Sequence, residues 1–280
     1  MSLLVTGSLA VAGAAAVTAG FGVRPGPTTP VGKSHDRGLV PLDSTVPALL
    51  AAHLDLDRDG LVPRMDSIAM WGRAKVRLGR SPWLPVRMLT RHRVGRDFAS
   101  DIKITWYGRT ILEVIDAYVR GRGMAGPERR PDVGDEIDQG ANLFLWSEGV
   151  LIPSVFADGT PVKAVEDDAS TVRLEVPFHA GTDSAWLHFD GERPHRFAAL
   201  RHKGLGGEKL WWYVDMRDWF VVDGIALPRH IEVTWEDEDR PWFRLDVDGF
   251  TANVDLDVDM RLNQVDDSIR AVRVRRGLPY

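Results

Sequence analysis

The chain has 280 residues, of which 44% are hydrophobic and 27% charged, a composition typical of a globular protein with one sizeable core. Its formal net charge of -5 argues against general nucleic-acid binding, because such binding depends on a basic surface. The absence of cysteine excludes disulfides, thiolate metal sites and cysteine nucleophiles.

Residues 1–23 form an apolar N-terminal segment, and the stretch from Leu3 to Val23 carries no charge. That stretch is long enough to cross a bilayer as a helix. The first positive charges, Arg24 and Lys33, follow it, whereas a signal peptide has positive residues before its apolar part. We therefore predict a protein associated with a membrane through a single N-terminal segment. A cleaved signal followed by export, or a leader with no membrane role, are the alternatives.

Three further regions follow along the chain. Residues 24–45 are rich in proline and glycine and predict a linker, because this composition cannot pack a core. Residues 46–254 predict the folded domain, and residues 255–280 a charged tail. The domain opens with a short predicted helix from Val46 to Leu54.

The acidic run after this helix has the spacing of a calcium loop. Asp55, Asp57 and Asp59 are followed by Gly60, and Asp66 stands at the twelfth position. Such loops bind calcium through oxygen ligands at positions one, three, five and twelve, with glycine at six. The twelfth position normally holds the longer glutamate, and a strand rather than a helix is predicted next. A calcium site and a solvated acidic turn are therefore both open readings.

Alternation of apolar and polar residues is the main structural signal from residue 71 to residue 250. In the segment Thr171–Val176, Arg173 and Glu175 would face one side, and the intervening valines and leucine the other. Many such segments with little helix between them predict a mainly β protein built on a large curved antiparallel sheet with one wet face. The predicted strands are 71–78, 85–94, 98–107, 110–120, 171–178, 184–190, 195–203, 208–216, 218–222, 227–236 and 241–250.

One helix interrupts this series of strands. Asp135 can cap its N-terminus, and Gly149 and Pro153 end it after Glu148. The dipeptides Asp190-Gly191 and Asp223-Gly224 predict tight hairpin turns between later strands.

Three stretches resemble an uncharacterised family of bacterial domains of unknown function. They are Asp116–Gly123, the helix Asp135–Glu148 with Pro153-Ser154 after it, and Asp218–Pro228 with Glu232–Trp235. The resemblance covers roughly Pro47 to Asn253. That family is in turn similar to the LolA/LolB-like lipoprotein-carrier half-barrel. The resemblance implies a half-barrel with the helix packed on or plugging its concave face, and a lipid-like ligand. It supplies no catalytic residue.

The apolar side of the sheet is the candidate binding site. Alternation places Val214, Ile231, Val233, Leu245 and Val247 on that side. The aromatic and polarisable candidates for ligand contact are Trp106, Phe144, Trp146, Trp212, Met216, Trp235 and Phe243. Glu148 would meet either a ligand head group or an arginine of the sheet, because a buried acid requires a partner. These residues line a cavity if the sheet curls away from the helix, and otherwise form a packed core.

No motif indicates catalysis. The histidines lack metal-ligand spacing, and no Gly-x-Ser-x-Gly elbow is present. We therefore predict no enzyme and no cofactor other than calcium. The predicted function is non-catalytic binding or carriage of an apolar, lipid-like ligand at a membrane. A protein-interaction or signalling scaffold with a solidly packed sheet, and an enzyme of unrecognised type, are the alternatives.

Overall fold

The computed structural model describes residues 36–77, 82–93, 97–106, 109–119, 122–125, 130–131, 150–157, 159–160, 162–178, 181–203 and 208–253. Within this part the protein is mainly β, as predicted, with one complete α-helix, the short α1 (Ala48–Leu54), helical residues at 150 and 151, and one 3-10 helix (Pro153–Phe156). The predicted helix Asp135–Glu148 lies outside the described residues.

Fifteen strands are described, and their bounds follow in chain order. They are β1 (Leu39–Pro41), β2 (Leu61–Pro63), β3 (Ser67–Val76), β4 (Leu84–Arg93), β5 (Asp97–Trp106), β6 (Arg109–Val119), β7 (Arg122–Ala125), β8 (Arg130–Pro131), β9 (Lys163–Asp168), β10 (Thr171–Phe178), β11 (Gly181–Asp190), β12 (Arg193–His202), β13 (Lys209–Val222), β14 (Ile225–Trp235) and β15 (Phe243–Ala252).

Thirteen of these strands form one antiparallel sheet, and β1 and β2 form a separate two-stranded ribbon. The order across the large sheet is β8-β7-β6-β5-β4-β3-β15-β14-β13-β12-β11-β10-β9. All neighbours in this order are adjacent in sequence except β3 and β15, which join the two halves of the domain. Among the described residues the sheet is open, because its order ends at β8 and β9 without a pairing between them.

A continuous row of apolar residues crosses one side of the sheet. Its members, each paired with the next on the neighbouring strand, are Val172, Leu187, Phe197, Val214, Val233, Phe243, Val76 and Leu84. Residues directly opposite each other on antiparallel strands point to the same face, so the row defines one apolar side. We call this side the inner face and the opposite side the outer face.

The inner face curves around the non-sheet elements. Wide antiparallel sheets twist and curl, because each strand has a right-handed twist. Here the apolar side chains of α1 and of residues 150–157 join those of β10 to β15, β3 and β4 in one buried hydrophobic cluster. Leu50, Leu151 and Ile152 are fully buried in it. The core of the domain therefore lies on the inner face.

Two predicted boundaries differ from the structure for identifiable reasons. The predicted strands 208–216 and 218–222 are one strand, β13, in which Asp218 has a φ of 57° and interrupts the pairing with β14. This single left-handed residue breaks the alternation that the prediction followed. The structure also forms β1 within the predicted linker 24–45, because Val40 pairs with Val62, whose side chain enters the core.

Glycine permits close packing where β3 meets β15. The register shifts between Val247 and Gly249, and Gly72 lies opposite Val247. A Cβ added to Gly72 would collide with the backbone carbonyl of Asp246, whereas one added to Gly249 would collide with the indole of Trp71. The first obstacle is backbone and the second is a half-buried side chain that can move.

We therefore expect Gly72→Ala to destabilise the protein by about 1–3 kcal/mol, the usual cost of overpacking. Gly249→Ala should cost less, because Trp71 can rotate towards solvent. Urea unfolding of both variants measures the difference in free energy. An equal or larger loss for Gly249→Ala would contradict this account of the β3–β15 junction.

Candidate functional site

Four of the predicted ligand-contact residues lie together on the inner face. Trp212 and Met216 of β13 and Trp235 of β14 are buried, and so is Phe243 of β15. The other five residues that alternation placed on this side are also buried there: Val214, Ile231, Val233, Leu245 and Val247. Their pairing follows the predicted inward register, with Val214 opposite Val233 and Met216 opposite Ile231.

An aromatic group marks one end of the inner face. Trp212 and Trp235 are direct partners on β13 and β14. The ring of Phe197 meets that of Trp212 edge-on, with centroids 6.1 Å apart and an interplanar angle of 84°. Ala199 of β12 pairs with Trp212 and is fully buried, so a small side chain faces the indole. We call Phe197, Trp212 and Trp235 the tryptophan end of the inner face.

Charged groups border the tryptophan end. Arg201 follows Phe197 and Ala199 on the inward side of β12 and is 7% exposed. Its guanidinium binds Asp183 of β11 through two hydrogen bonds, Nη1 to Oδ1 at 2.8 Å and Nη2 to Oδ2 at 2.6 Å. This bidentate pairing offsets the cost of burying the arginine.

Lys203 covers Trp235, with its Nζ 5.8 Å from the ring centroid. The Nζ donates hydrogen bonds to Asp237 at 2.6 Å and to Glu238 at 2.9 Å. Burial alone would lower the pKa of Lys203, but the two hydrogen bonds raise it above its ordinary value. Lys203 is therefore a positive charge at neutral pH at the border of the tryptophan end.

The opposite end of the inner face is closed by α1. The ring of His53 lies 4.9 Å from that of Trp219, and Arg193 Nη1 donates to both His53 Nδ1 at 3.0 Å and the His53 carbonyl at 2.9 Å. Trp219 stands seven residues beyond Trp212 on β13, a distance of roughly 20 Å along a strand. The helix and the tryptophan end are therefore well separated.

His53 is neutral in the folded protein. Arginine can only donate, so His53 Nδ1 accepts and the proton is on Nε2. Burial and, to a smaller extent, the charge of Arg193 lower the pKa of His53 from 6.5 to about 3, against the opposing effect of its hydrogen bond with the Val150 backbone. One buried imidazole thus links α1 to β12 and to residue 150.

The remaining predicted ligand contacts cannot be placed in the same way. Trp106 is the last residue of β5, and only its backbone is described. Phe144, Trp146 and Glu148 lie outside the described residues. Their contribution to the site, and the head-group role of Glu148, stay predictions.

The predicted calcium ligands do not converge. Asp55 accepts a hydrogen bond from the Gly60 amide, and Asp59 accepts one from the Leu61 amide. Asp66 lies within 3.5 Å of Arg37 and of Arg64 instead. In the part of the chain that the structure describes, which includes Asp57, no group of three or more acidic or histidine side chains is placed to hold a metal ion. This geometry gives the calcium site no support, and calcium binding stays a prediction.

A histidine–carboxylate cluster lies on the outer face. His230 Nδ1 is 2.6 Å from Asp246 Oδ1, and His230 Nε2 is 3.4 Å from Asp218 Oδ2. The side chains of Asp246 and Asp218 are half exposed or more. The cluster therefore lies on the surface, whereas the enzyme alternative requires a buried cleft.

Sequence reasoning missed the charged border and the buried histidine. The signal for Arg201 was present, because an arginine that continues the inward alternation of Phe197 and Ala199 predicts a buried charge with a partner. No local signal identified Asp183 as that partner, since this contact depends on the pairing of β11 with β12. None joined His53 to Arg193 either, because that contact depends on how α1 docks against β12.

A protein-family profile matches most of the chain. The sequence profile of DUF6544, a family of unknown function, matches residues 44–245, and the chain belongs to this family. No curated protein sequence matches the chain. In the described part of the chain, no helix is both long and apolar enough to cross a bilayer.

Three solved structures align with most of the chain at low identity. A LolA superfamily protein from Nitrosomonas europaea has a TM-score of 0.42 and 10% identity, covering 75% of this chain and 94% of its own. A putative outer membrane lipoprotein-sorting protein domain from Vibrio parahaemolyticus has the same score and identity, covering 77% and 96%. A DUF1329 family protein from Desulfovibrio piger has a TM-score of 0.35 and 12% identity, covering 76% and 95%.

The buried neutral His53 makes stability depend on pH. Between its folded pKa of about 3 and its unfolded pKa of about 6.5, the unfolded chain binds a proton that the folded protein does not. The stability is therefore fully present above pH 6.5 and declines as the pH falls below it. We expect the free energy of unfolding to fall by about 2 kcal/mol between pH 7.5 and pH 5.

Urea unfolding at the two pH values measures this loss. His53→Gln removes the titrating group, so most of the pH dependence should disappear together with some stability at pH 7.5. His195→Gln, at an exposed histidine, is the matched control and should keep most of the dependence. The same slope in the protein and in His53→Gln would show that His53 is not its source.

Proposed function

We propose that the inner face binds an apolar, lipid-like ligand without catalysing a reaction. The observation that carries this proposal is the tryptophan end: two paired indoles and Phe197 lie roughly 20 Å from the residues with which α1 closes the other end. Beside this end, an uninterrupted row of buried apolar residues crosses the inner face from β10 to β4.

Such a surface can supply affinity from apolar contact alone. An apolar ligand group the size of an aliphatic or aromatic side chain contributes about 1.5–3 kcal/mol when it becomes buried in this apolar layer, before the costs of ordering the ligand and of displacing the residues that cover the layer. Several contacts along an acyl chain therefore suffice for micromolar binding. The ligand that fits this surface is long, flexible and largely unbranched, and it requires few directional hydrogen bonds.

The charged border supports an amphiphile rather than a plain hydrocarbon. The Lys203 ammonium uses two of its three hydrogens on Asp237 and Glu238, and Arg201 Nε is a buried donor without an acceptor in the described part of the chain. A buried donor without an acceptor is costly, so an oxygen of a ligand head group would stabilise it. We infer that the acyl chain lies on the tryptophan end and that the head group lies beside Arg201 and Lys203.

The same proposal places the protein at a membrane. Support comes from residues 1–23, whose uncharged stretch from Leu3 to Val23 suits an anchor or an export signal. A carrier or receptor for lipid-like ligands requires access to a bilayer, and either role of this segment would provide it.

We expect Trp212→Gln with Trp235→Gln to reduce binding of a dansyl-labelled fatty acid by tenfold or more, because each indole lost removes at least 1.4 kcal/mol of contact. The probe is titrated into the purified full-length protein and its fluorescence followed. Circular dichroism establishes that the double variant is folded.

The matched control replaces the same number of tryptophans on the outer face. Trp186→Gln with Trp211→Gln removes two half-buried indoles that stack edge-on, 5.2 Å apart, away from the inner face. This variant should bind the probe as the unaltered protein does. Equal affinity in a folded Trp212/Trp235 variant would overturn the proposal.

Ala199→Phe tests whether space exists at the tryptophan end. A phenyl ring opposite Trp212 would occupy the volume that a ligand requires, so probe binding should be lost while the melting temperature is kept or raised. In a solidly packed core the same substitution would cost about 1–3 kcal/mol by overpacking. A lowered melting temperature, together with no probe binding by the unaltered protein, would favour the scaffold alternative.

A further inference from the structure

The β1–β2 ribbon carries an apolar surface that the core does not use. Val40 and Val62 are partners and point inwards, where Val62 is fully buried. The four residues on the other side of the ribbon are all apolar: Leu39 opposite Pro63, and Pro41 opposite Leu61. Leu39 is 59% exposed and Leu61 is 40% exposed.

The tip of the β13–β14 hairpin lies next to this surface. Gly224 at the hairpin turn lies beside the ribbon, so that a Cβ built on it would come within 3.3 Å of Pro63. Val221, just before the turn, is 56% exposed. We call Leu39, Pro41, Leu61, Pro63 and Val221 the ribbon face. It contains three of the five large hydrophobic residues that are exposed in the described part of the chain.

The charged residues around the ribbon face offer little attraction to a negatively charged partner. Residues 36–66 contain three arginines and six aspartates, a formal charge of 3 − 6 = −3. Each arginine lies near a carboxylate: Arg37 and Arg64 are 3.5 Å from Asp66, and Arg58 is 2.7 Å from Glu192. A partner that binds this end therefore gains its free energy from apolar contact and gains little from positive charge.

The position of the ribbon in the chain indicates what it contacts. Only 15 residues, 24–38, separate Leu39 from Val23, where the uncharged stretch ends. A chain of that length spans at most about 50 Å when fully extended. The ribbon is thus the described element nearest in sequence to a segment whose composition suits a bilayer. Tethering at this distance raises the effective concentration of lipid at the ribbon, so a small apolar surface is sufficient.

We propose that the ribbon face docks on the surface of a lipid bilayer, with Leu39, Leu61 and Val221 entering the boundary between head groups and acyl chains. Apolar area that enters this boundary contributes binding free energy in proportion to its size, and the protein need not cross the bilayer. The inference does not rest on ligand binding by the inner face, because the two surfaces lie at opposite ends of β13. The acidic surroundings make a neutral bilayer the preferred one.

Environment-sensitive labels test this orientation directly. The chain has no cysteine, so Leu61→Cys and Leu200→Cys each introduce a single labelling site in the full-length protein. Both residues are 40% exposed, and Leu200 lies on the outer face, which makes it a matched control. Each variant is labelled with nitrobenzoxadiazole and mixed with phosphatidylcholine vesicles, with and without bromine in the acyl chains. Both variants keep residues 1–23, so anchoring by that segment is common to the two.

The expected result is a blue shift and a loss of emission with brominated lipid for the label at position 61, and neither for the label at position 200. Raising the salt concentration should leave both unchanged. A label at Val221→Cys should behave like that at position 61. In this labelled protein, the additional substitutions Leu39→Asp and Leu61→Asp should abolish the blue shift of the label at position 221.

Three outcomes would overturn the proposal. The label at position 61 could stay in water on vesicle-bound protein. It could shift without vesicles as the protein concentration rises, which would indicate a second copy of the chain. It could also be shifted at every concentration without vesicles, which would indicate contact with another segment of the same chain. None of these outcomes would bear on probe binding at the tryptophan end.

Discussion

The inner face of the open sheet must be kept from water, and the rest of the structure depends on this constraint. A closed barrel would shield its apolar side by its own curvature, but the sheet described here ends at β8 and β9. Elements outside the sheet must therefore cover the row from Val172 to Leu84. In the described residues this cover consists of α1, the inward side of the ribbon and residues 150–157, all of which join the hydrophobic cluster. The two ends of the inner face, taken along the strands, consequently differ. One is closed by these elements, and the other carries paired tryptophans bordered by charge.

Buried polar contacts fix the cover in one position, which apolar packing alone does not do. Arg193 and the Val150 backbone hold His53 from two sides. Ser154 accepts a hydrogen bond from the Met65 amide, and Asn253 binds the connection between β2 and β3 through Arg64 and Asp66. Each of these groups would lose its hydrogen bonds if the cover moved, and an unsatisfied buried polar group is costly. The cover is thus positioned by directional bonds, while its free energy of association comes mainly from buried apolar area.

Sequence patterns predicted the strands well and their long-range partners poorly. Alternation identified β3 to β6 and β10 to β15 to within a few residues, because one face of each strand is apolar and the other polar. Asp223-Gly224 forms the predicted hairpin, since both residues adopt the positive φ that this dipeptide favours. By contrast, β9 (Lys163–Asp168) was missed because an exposed edge strand of mostly polar residues lacks an apolar face. The β3–β15 pairing was also missed, since contacts between distant segments leave no local periodicity. The same limitation applied to the site: residues on the inner face were predicted, whereas Asp183 became visible only as a partner across strands and Arg193 only as a partner of His53 in the docked helix.

The opposite positions of the two proposed surfaces have a functional consequence. Val222, beside the hairpin tip, and Trp212 are ten residues apart on β13, a separation of about 33 Å along the strand. A protein docked through the ribbon face would therefore hold its tryptophan end in the aqueous phase. A ligand entering there would come from that phase, delivered by another protein or by a second membrane, because lipid-like molecules are poorly soluble in water. This orientation suits a receptor. It does not suit a carrier that extracts its ligand from the same bilayer, because the apolar site of such a carrier must face that bilayer. If both proposals hold, the geometry of β13 favours the receptor.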